Sequence, residues 1–382
     1  MKKYDILIIG AGSVGIPLSY YLAKKGVKVG VIEKMPSVGR GQNRAAIGGI
    51  RATHSDPAKI KICQRSLHIV KNMENGLGKD IDWIEGGYLF PVYDEGTEKA
   101  LKDLLVFQKK YDLNIDWISP EKVNELVPGI SQDGLRGGTF SPEDGSASPL
   151  KLAGAFYDLA VEAGVDFLFN EKLTSLSVKD GKIDSATTNK ETYQFDTLVD
   201  ASGASSRKIG KEIGLDIPVY PDSHEAGISE PVARFFEPMV VDIRPDDSSA
   251  NYYFYQNCEG QVVFCITPAP KIPGEDIDCT SEFLPLVVKR MLKLYPRLRN
   301  LRVRRTWRGL YPMTPDGFPI VSKTKEYENF VLAVGMCGQG FMLGPGLGEI
   351  LAEIIADNSS NYNDILDQLT LYRKFEGEEL LK

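Results

Sequence analysis

Histidine is scarce in this chain: His54, His68 and His224 are scattered through 382 residues. The five cysteines (Cys63, Cys258, Cys265, Cys279 and Cys337) are odd in number and lack metal-ligand spacing. A zinc or haem centre is therefore not expected, and no metal site is assigned. Each cysteine reads as a small buried hydrophobe, Cys337 least so because glycines surround it. No basic run is present, and a net charge of −7 with a pI near 5.3 argues against nucleic acid as a partner. Long apolar runs are missing as well. The N-terminal one follows only Lys2 and Lys3 and breaks at Gly10, too early for a signal peptide or a membrane span. The cytoplasm is the default expectation.

What remains is an ordinary soluble composition, 25% charged and 42% hydrophobic. The length suits two intimately joined domains better than one core. The most informative stretch comes first. Ile6 to Ile9 form an apolar strand, Gly10-Ala11-Gly12-Ser13-Val14-Gly15 a turn, Pro17 to Lys25 a helix stopped by Gly26, and Val29 to Glu33 a second strand. In such a turn Gly10 permits the sharp exit from the strand, Gly12 lets the backbone approach a pyrophosphate, and Gly15 lets the helix pack close. The helix start offers free N–H groups to phosphates, and Glu33 stands where a carboxylate would accept from a ribose 2′-OH. The unit predicts a bound dinucleotide. It does not distinguish FAD from NAD.

Met35 to Arg51 is rich in glycine and arginine, with Arg40, Gln42, Arg44, Gly48, Gly49 and Arg51, and has neither helical nor strand period. Its position after the second strand predicts a binding loop beside the ligand crevice. A helix is expected from Asp56 to Met73, strands at Tyr88–Tyr93 and Gly137–Phe140, and helices at Glu95–Tyr111 and Pro149–Ala163. Small strands from Val165 to Thr187 follow, among them one opening at Leu173, with Asp180-Gly181 as a hairpin turn. The strand Thr197–Asp200 then runs into Ala201-Ser202-Gly203, a second close backbone approach to the nucleotide. From about Gly227 to Arg308 the pattern becomes antiparallel, with one helix from Ser281 to Leu294. The strand Phe330–Val334, the segment Gly335 to Met342, a helix from about Gly344 to Ala356 and a last one from Asn363 to Phe375 complete the chain.

These residues carry a family likeness. The chain resembles the D-amino-acid-oxidase superfamily of FAD enzymes along essentially its whole length. It is most similar to glycine and sarcosine oxidases and to the β subunits of sarcosine oxidase and dye-linked L-proline dehydrogenase. The likeness rests on the Gly10/Gly12/Gly15/Glu33 unit, the Gln42–Arg51 loop, the Asp200–Gly203 strand end, and a C-terminal block of Gly309–Ile320 and Gly335–Glu349. It implies an α/β fold (α+β overall): a Rossmann-like FAD-binding domain of residues 1–85, 145–220 and 310–382, and an inserted antiparallel-sheet substrate domain of 86–144 and 221–309. It implies FAD rather than NAD. The cofactor contacts assigned on this basis are Gly10, Gly12, Ser13, Val14, Gly15, Glu33, Lys34, Arg40, Gln42, Arg44, Gly48, Gly49, Leu173, Ala201, Ser202, Gly203, Gly335, Gly338, Gln339, Gly340, Phe341 and Met342. The helix start near Gly340 would face the flavin pyrimidine edge, where N–H groups stabilise the charge of reduced flavin.

Departures from the family matter. The cysteine that tethers flavin in monomeric sarcosine oxidases falls on Gly309, and the histidine that tethers FMN in the heteromeric β subunit falls on Pro149. Non-covalent FAD is implied, with a non-covalent FMN at a subunit interface left open. The substrate lysine of sarcosine oxidase falls on Met342 and the substrate arginine of glycine oxidase on Tyr311. The reaction implied is hydride transfer from a small amino acid to flavin N5, giving an imine; a secondary amine such as L-proline or sarcosine is favoured. The cofactor performs that chemistry, so a carboxylate anchor rather than a catalytic dyad is expected. Arg51 is the anchor candidate, since a guanidinium binds a carboxylate bidentately. Tyr253 and Tyr255 share a strand face as a pocket roof, with Tyr311 and Met342 beside the substrate. A partner α subunit or electron acceptor fits the β-subunit likeness. The alternatives are a flavin oxidase of a hydroxy compound such as glycerol 3-phosphate, and a non-catalytic electron-relay subunit.

Overall fold

The strand Lys2–Ile9 is the middle of the first sheet, and Ile6, Leu7, Ile8 and Ile9 on it are all buried. Such a run, apolar on both faces, needs cover on both faces, as in a parallel sheet flanked by helices. The computed structural model describes residues 2–377 and 379. The other positions, at the two ends of the expected FAD-binding segments, lie outside the described residues. Lys2–Ile9 pairs in parallel with Val29–Glu33 on one side and Thr192–Asp200 on the other. Phe330–Val334 and Asp166–Phe169 extend the parallel set at its two ends, and Ile320–Lys323 adds an antiparallel edge. The hairpin Leu173–Lys179 and Lys182–Thr188 joins onto Thr192–Asp200, making eight strands.

A second eight-stranded sheet runs in the order Val303–Met313, Tyr220–Ser229, Val262–Pro268, Ser249–Gln256, Met239–Asp242, Tyr88–Val92, Gly137–Ser141 and Asp116–Ile118. It is antiparallel except where Met239–Asp242 meets Tyr88–Val92. One face packs Phe254 and Phe264 against the helix Phe283–Leu294, with Tyr295 buried at the helix end. The fold is thus the mixed α/β architecture expected.

Three local readings change. The C-terminal helix begins at Gly340, with Gln339 at its N-cap, rather than near Gly344. Positive φ at Gly335, Cys337 and Gly338 turns the chain sharply after the strand, and burial of Phe341 and Leu343 rewards an early helix start. The last helix covers only Asn363–Gln368, and beyond it Arg373 bonds the Asp316 carboxylate and the Phe318 carbonyl. Inside the glycine-rich loop, Gln42–Ala45 forms a 3₁₀ turn and Gly49–Ile50 pairs with Gly145–Ser146. Among the described residues no helix is long and apolar enough to cross a membrane.

Candidate cofactor and substrate site

A cavity of about 480 Å³ runs from the first glycine turn to the inner face of the second sheet. At the first glycine turn Gly10 adopts φ +104, and a Cβ at Gly15 would fall 2.0 Å from the Gly10 carbonyl oxygen. Only hydrogen fits there, which brings the helix Gly15–Lys24 onto the strand. At Gly12, by contrast, nothing lies within 4 Å of a built Cβ, leaving room beside the helix start. Glu33 is buried and oriented by two backbone donors: Ala11 N–H to Oε2 at 2.8 Å and Met35 N–H to Oε1 at 2.9 Å. Ser13 Oγ bonds Asn43 Oδ1, and Asn43 Nδ2 donates to the Pro149 carbonyl. Asp200, at the strand end beside the turn, has one carboxylate oxygen buried without a partner. Burial raises its pKa to about 6 against the opposing bonds from Ser202.

The rest of the wall includes Gly338, Gly340, Phe341 and Met342 around the start of the C-terminal helix, and His224, Tyr253, Cys265 and Tyr311 from strands of the second sheet. The Tyr253 and Tyr311 hydroxyls bond each other at 2.8 Å. Burial pushes the pKa of both phenols up, so both stay protonated. The Tyr311 ring lies where a Cβ of Gly338 would be, 2.2 Å from the ring edge, so this glycine admits it. His224 stacks on Tyr311 with ring centroids 3.7 Å apart, and its Nε2 meets Asp222 Oδ2 at 3.0 Å. Lys34, Lys172 and Lys208 are the lysines lining the cavity, all exposed, and Lys208 Nζ is ion-paired with Glu275 at 2.7 Å; among the described residues no arginine lines it.

Most of the sequence-predicted residues come together here. Gly10, Gly12, Ser13, Val14, Glu33, Lys34, Gln42, Gly48, Gly49, Leu173, Ala201, Ser202, Gly203, Tyr253, Tyr311 and Met342 all line the cavity, as do Gly338, Gly340 and Phe341. Gly15, Arg40, Arg44, Gly335 and Gln339 are not on the cavity wall; Arg40 and Arg44 are exposed. Tyr255 sits behind the wall, its hydroxyl bonding the Ile47 carbonyl and so bracing the loop at Gly48. Arg51 is not brought to the cavity either. It is buried, donates to the Thr53 carbonyl, and lies over the Phe90 ring at 5.7 Å. Beside it Glu379 accepts from Lys59 Nζ at 2.7 Å and Gln339 Nε2 at 2.8 Å, and meets His54 Nδ1 at 2.7 Å. Cys258 and Cys279 are exposed, contrary to the expectation of burial, which holds for Cys63, Cys265 and Cys337. Sequence reasoning missed His224 and Asn43. His224 had a signal: Asp222 and His224 are two apart, hence on one face once Tyr220–Ser229 is a strand.

The sequence pattern of the family described as FAD dependent oxidoreductase (DAO) matches residues 5–354. The chain belongs to that family. As an FAD dependent oxidoreductase it is similar to glycine oxidase of Bacillus licheniformis, 25% identical over 94% of this chain and 94% of that protein. It is 28% identical to sarcosine oxidase subunit beta of Arthrobacter sp, over 94% of this chain and 89% of the relative. Among solved structures, L-proline dehydrogenase from P. horikoshii superposes with a TM-score of 0.91 at 30% identity, covering 97% of this chain and 98% of that one. The residues fit FAD. Open space at Gly12, the N–H groups of the helix start and the pre-oriented Glu33 suit a diphosphate and a ribose. The start of Gly340–Ala356, far along the chain from the start of Gly15–Lys24, offers a second set of N–H groups in this oxidoreductase.

Proposed function

We propose that this oxidoreductase oxidises a small amino acid at its carbon–nitrogen bond, with a secondary amine such as L-proline or sarcosine ahead of glycine. The observation that carries this reading is the Tyr253–Tyr311 hydroxyl pair on the second-sheet wall of the cavity. One phenol can donate to the other while the second donates onward to a substrate carboxylate. Met342 and Cys265 complete a wall that suits an apolar ring or N-methyl group. Names of the relatives, which include glycine oxidase, sarcosine oxidase subunit beta and L-proline dehydrogenase, support the same substrate class. A phosphate-bearing hydroxy compound would call for paired free cations; among the described residues no arginine lines the cavity, and Lys208 is already ion-paired with Glu275.

FAD, when bound, supplies the two-electron oxidant that accepts hydride from the substrate α-carbon. The protein holds it without a covalent bond in this proposal. A Cβ at Gly309 would fall 2.3 Å from the Ala45 Cβ, so no tethering side chain fits there. A role as catalytic β-type subunit follows the sarcosine oxidase likeness. Pro149, at the first turn of Pro149–Glu162 beside the exposed Leu150, offers no histidine for a linked FMN, so a second flavin would sit free between this chain and an α-type partner. Anaerobic mixing of the holoprotein with L-proline, sarcosine, glycine and glycerol 3-phosphate tests the assignment.

A further inference from the structure

Asp222, His224 and Tyr311 form a stacked, hydrogen-bonded group that a hydride-transfer scheme leaves unexplained. Ile272 N–H donates to Asp222 Oδ1 at 2.7 Å, which aims Oδ2 at the His224 ring. A carboxylate only accepts, so the ring nitrogen facing it, Nε2, carries the hydrogen. The other nitrogen, Nδ1, is then a bare lone pair. It is buried with no hydrogen-bond partner, on a side chain 8% exposed that lines the cavity beside the tyrosine pair. A buried acceptor without a partner is costly in a folded protein and points to a ligand donor that completes it.

We propose that His224 Nδ1 is the base that takes the proton from the substrate ammonium, with Asp222 as the positioning residue that fixes the imidazole tautomer. This rests on the amine-oxidation reading. An ammonium has no lone pair to assist departure of the α-hydrogen. Transfer of one N–H proton to Nδ1 leaves the free amine, and that lone pair then forms the carbon–nitrogen double bond as the α-hydrogen leaves with its electron pair for the FAD oxidant. The product is the protonated imine, and the proton gained by His224 is returned to water. Burial, opposed by the Asp222 bond and reinforced by the Arg308 charge, holds the His224 pKa below its ordinary value, so the ring is neutral and able to accept. Around it, Arg308 is paired with Asp276, Glu225 is bonded to Thr280, and Tyr311 covers one face.

The test combines two measurements on the holoprotein. With only three histidines in the chain, heteronuclear NMR of histidine-labelled protein resolves each ring. His224 is expected with hydrogen on Nε2 and none on Nδ1, and Asp222→Asn, whose amide donates to Nε2, is expected to reverse this. In anaerobic rapid mixing with L-proline or sarcosine, His224→Gln is expected to slow flavin reduction by about 10²-fold or more at neutral pH. The rate should recover as pH approaches about 10, where an alkylammonium loses its proton unaided. A structural role would not produce that recovery. Hydrogen found on Nδ1, or a His224→Gln enzyme reduced as fast as wild type at neutral pH, overturns the proposal while the amine reading stands. A wild type that no amine reduces overturns both.

Discussion

Gly344 lies against the backbone of Ser13 so closely that a Cβ on it would fall 1.9 Å from the Ser13 carbonyl oxygen. Ser13 belongs to the first glycine turn and Gly344 to the helix Gly340–Ala356, whose first residues line the same cavity. The first glycine turn and the start of the C-terminal helix are therefore fixed to each other through backbone contact. Gly344→Val must separate them. The expected cost is about 3 kcal/mol of stability from overpacking, together with weaker FAD retention. Thermal unfolding and flavin titration of the variant check both.

Tyr311→Phe removes the hydroxyl that bonds Tyr253 at 2.8 Å. Loss of a hydrogen bond to a carboxylate is worth about 1.5–3 kcal/mol, so KM for the amino acid should rise roughly tenfold to hundredfold. Retained FAD affinity and melting temperature would show that the effect is on substrate. An unchanged KM would remove the tyrosine pair from carboxylate binding.

Glu379 is the carboxylate on which the buried Lys59, His54 and Gln339 converge. Glu379→Ala leaves Lys59 fully buried without its counter-charge, an expected loss of about 3–5 kcal/mol. Denaturant unfolding measures it, and Glu379→Gln, which keeps the Gln339 and Lys59 bonds possible, should cost less.

The same cluster sets a pH dependence. Burial, aided by Arg51, lowers the His54 pKa to about 4. The unfolded chain then binds the extra proton between about 6.5 and 4, so this contribution is present above 6.5 and is lost as pH falls towards 4. Its full size is on the order of 3 kcal/mol. Unfolding free energies of wild type and His54→Gln measured across that window should converge at the acid end. Parallel curves would contradict the assignment.

Acid precipitation of the holoprotein should release all of the flavin into solution, because Gly309 abuts Ala45 and Pro149 cannot form a histidyl link. Yellow colour kept in the pellet would show a covalent bond.

Local pattern made the first strand–turn–helix–strand unit legible: glycines whose spacing has a steric reason, and an acidic residue closing the second strand. The early start of the C-terminal helix was not legible, because it depends on how the Gly335–Gly338 turn bends and on the burial of Phe341. Arg51 shows the limit of residue type. A guanidinium next to a binding loop suits a carboxylate, and in sequence nothing shows that this one also donates to the Thr53 carbonyl and lies over Phe90. His224 shows the reverse: a lone histidine carries no signal until the strand Tyr220–Ser229 places Asp222 on its face and the next strand brings Tyr311 over it. Glu379 was unreadable in sequence, since its partners at Lys59 and His54 are more than 300 positions away.

Anaerobic loss of flavin colour on adding amino acids tests the proposed activity most directly. The account predicts rapid bleaching of the chain's FAD by L-proline or sarcosine, slower bleaching by glycine, and none by glycerol 3-phosphate. Bleaching by glycerol 3-phosphate with no response to any amine would contradict it.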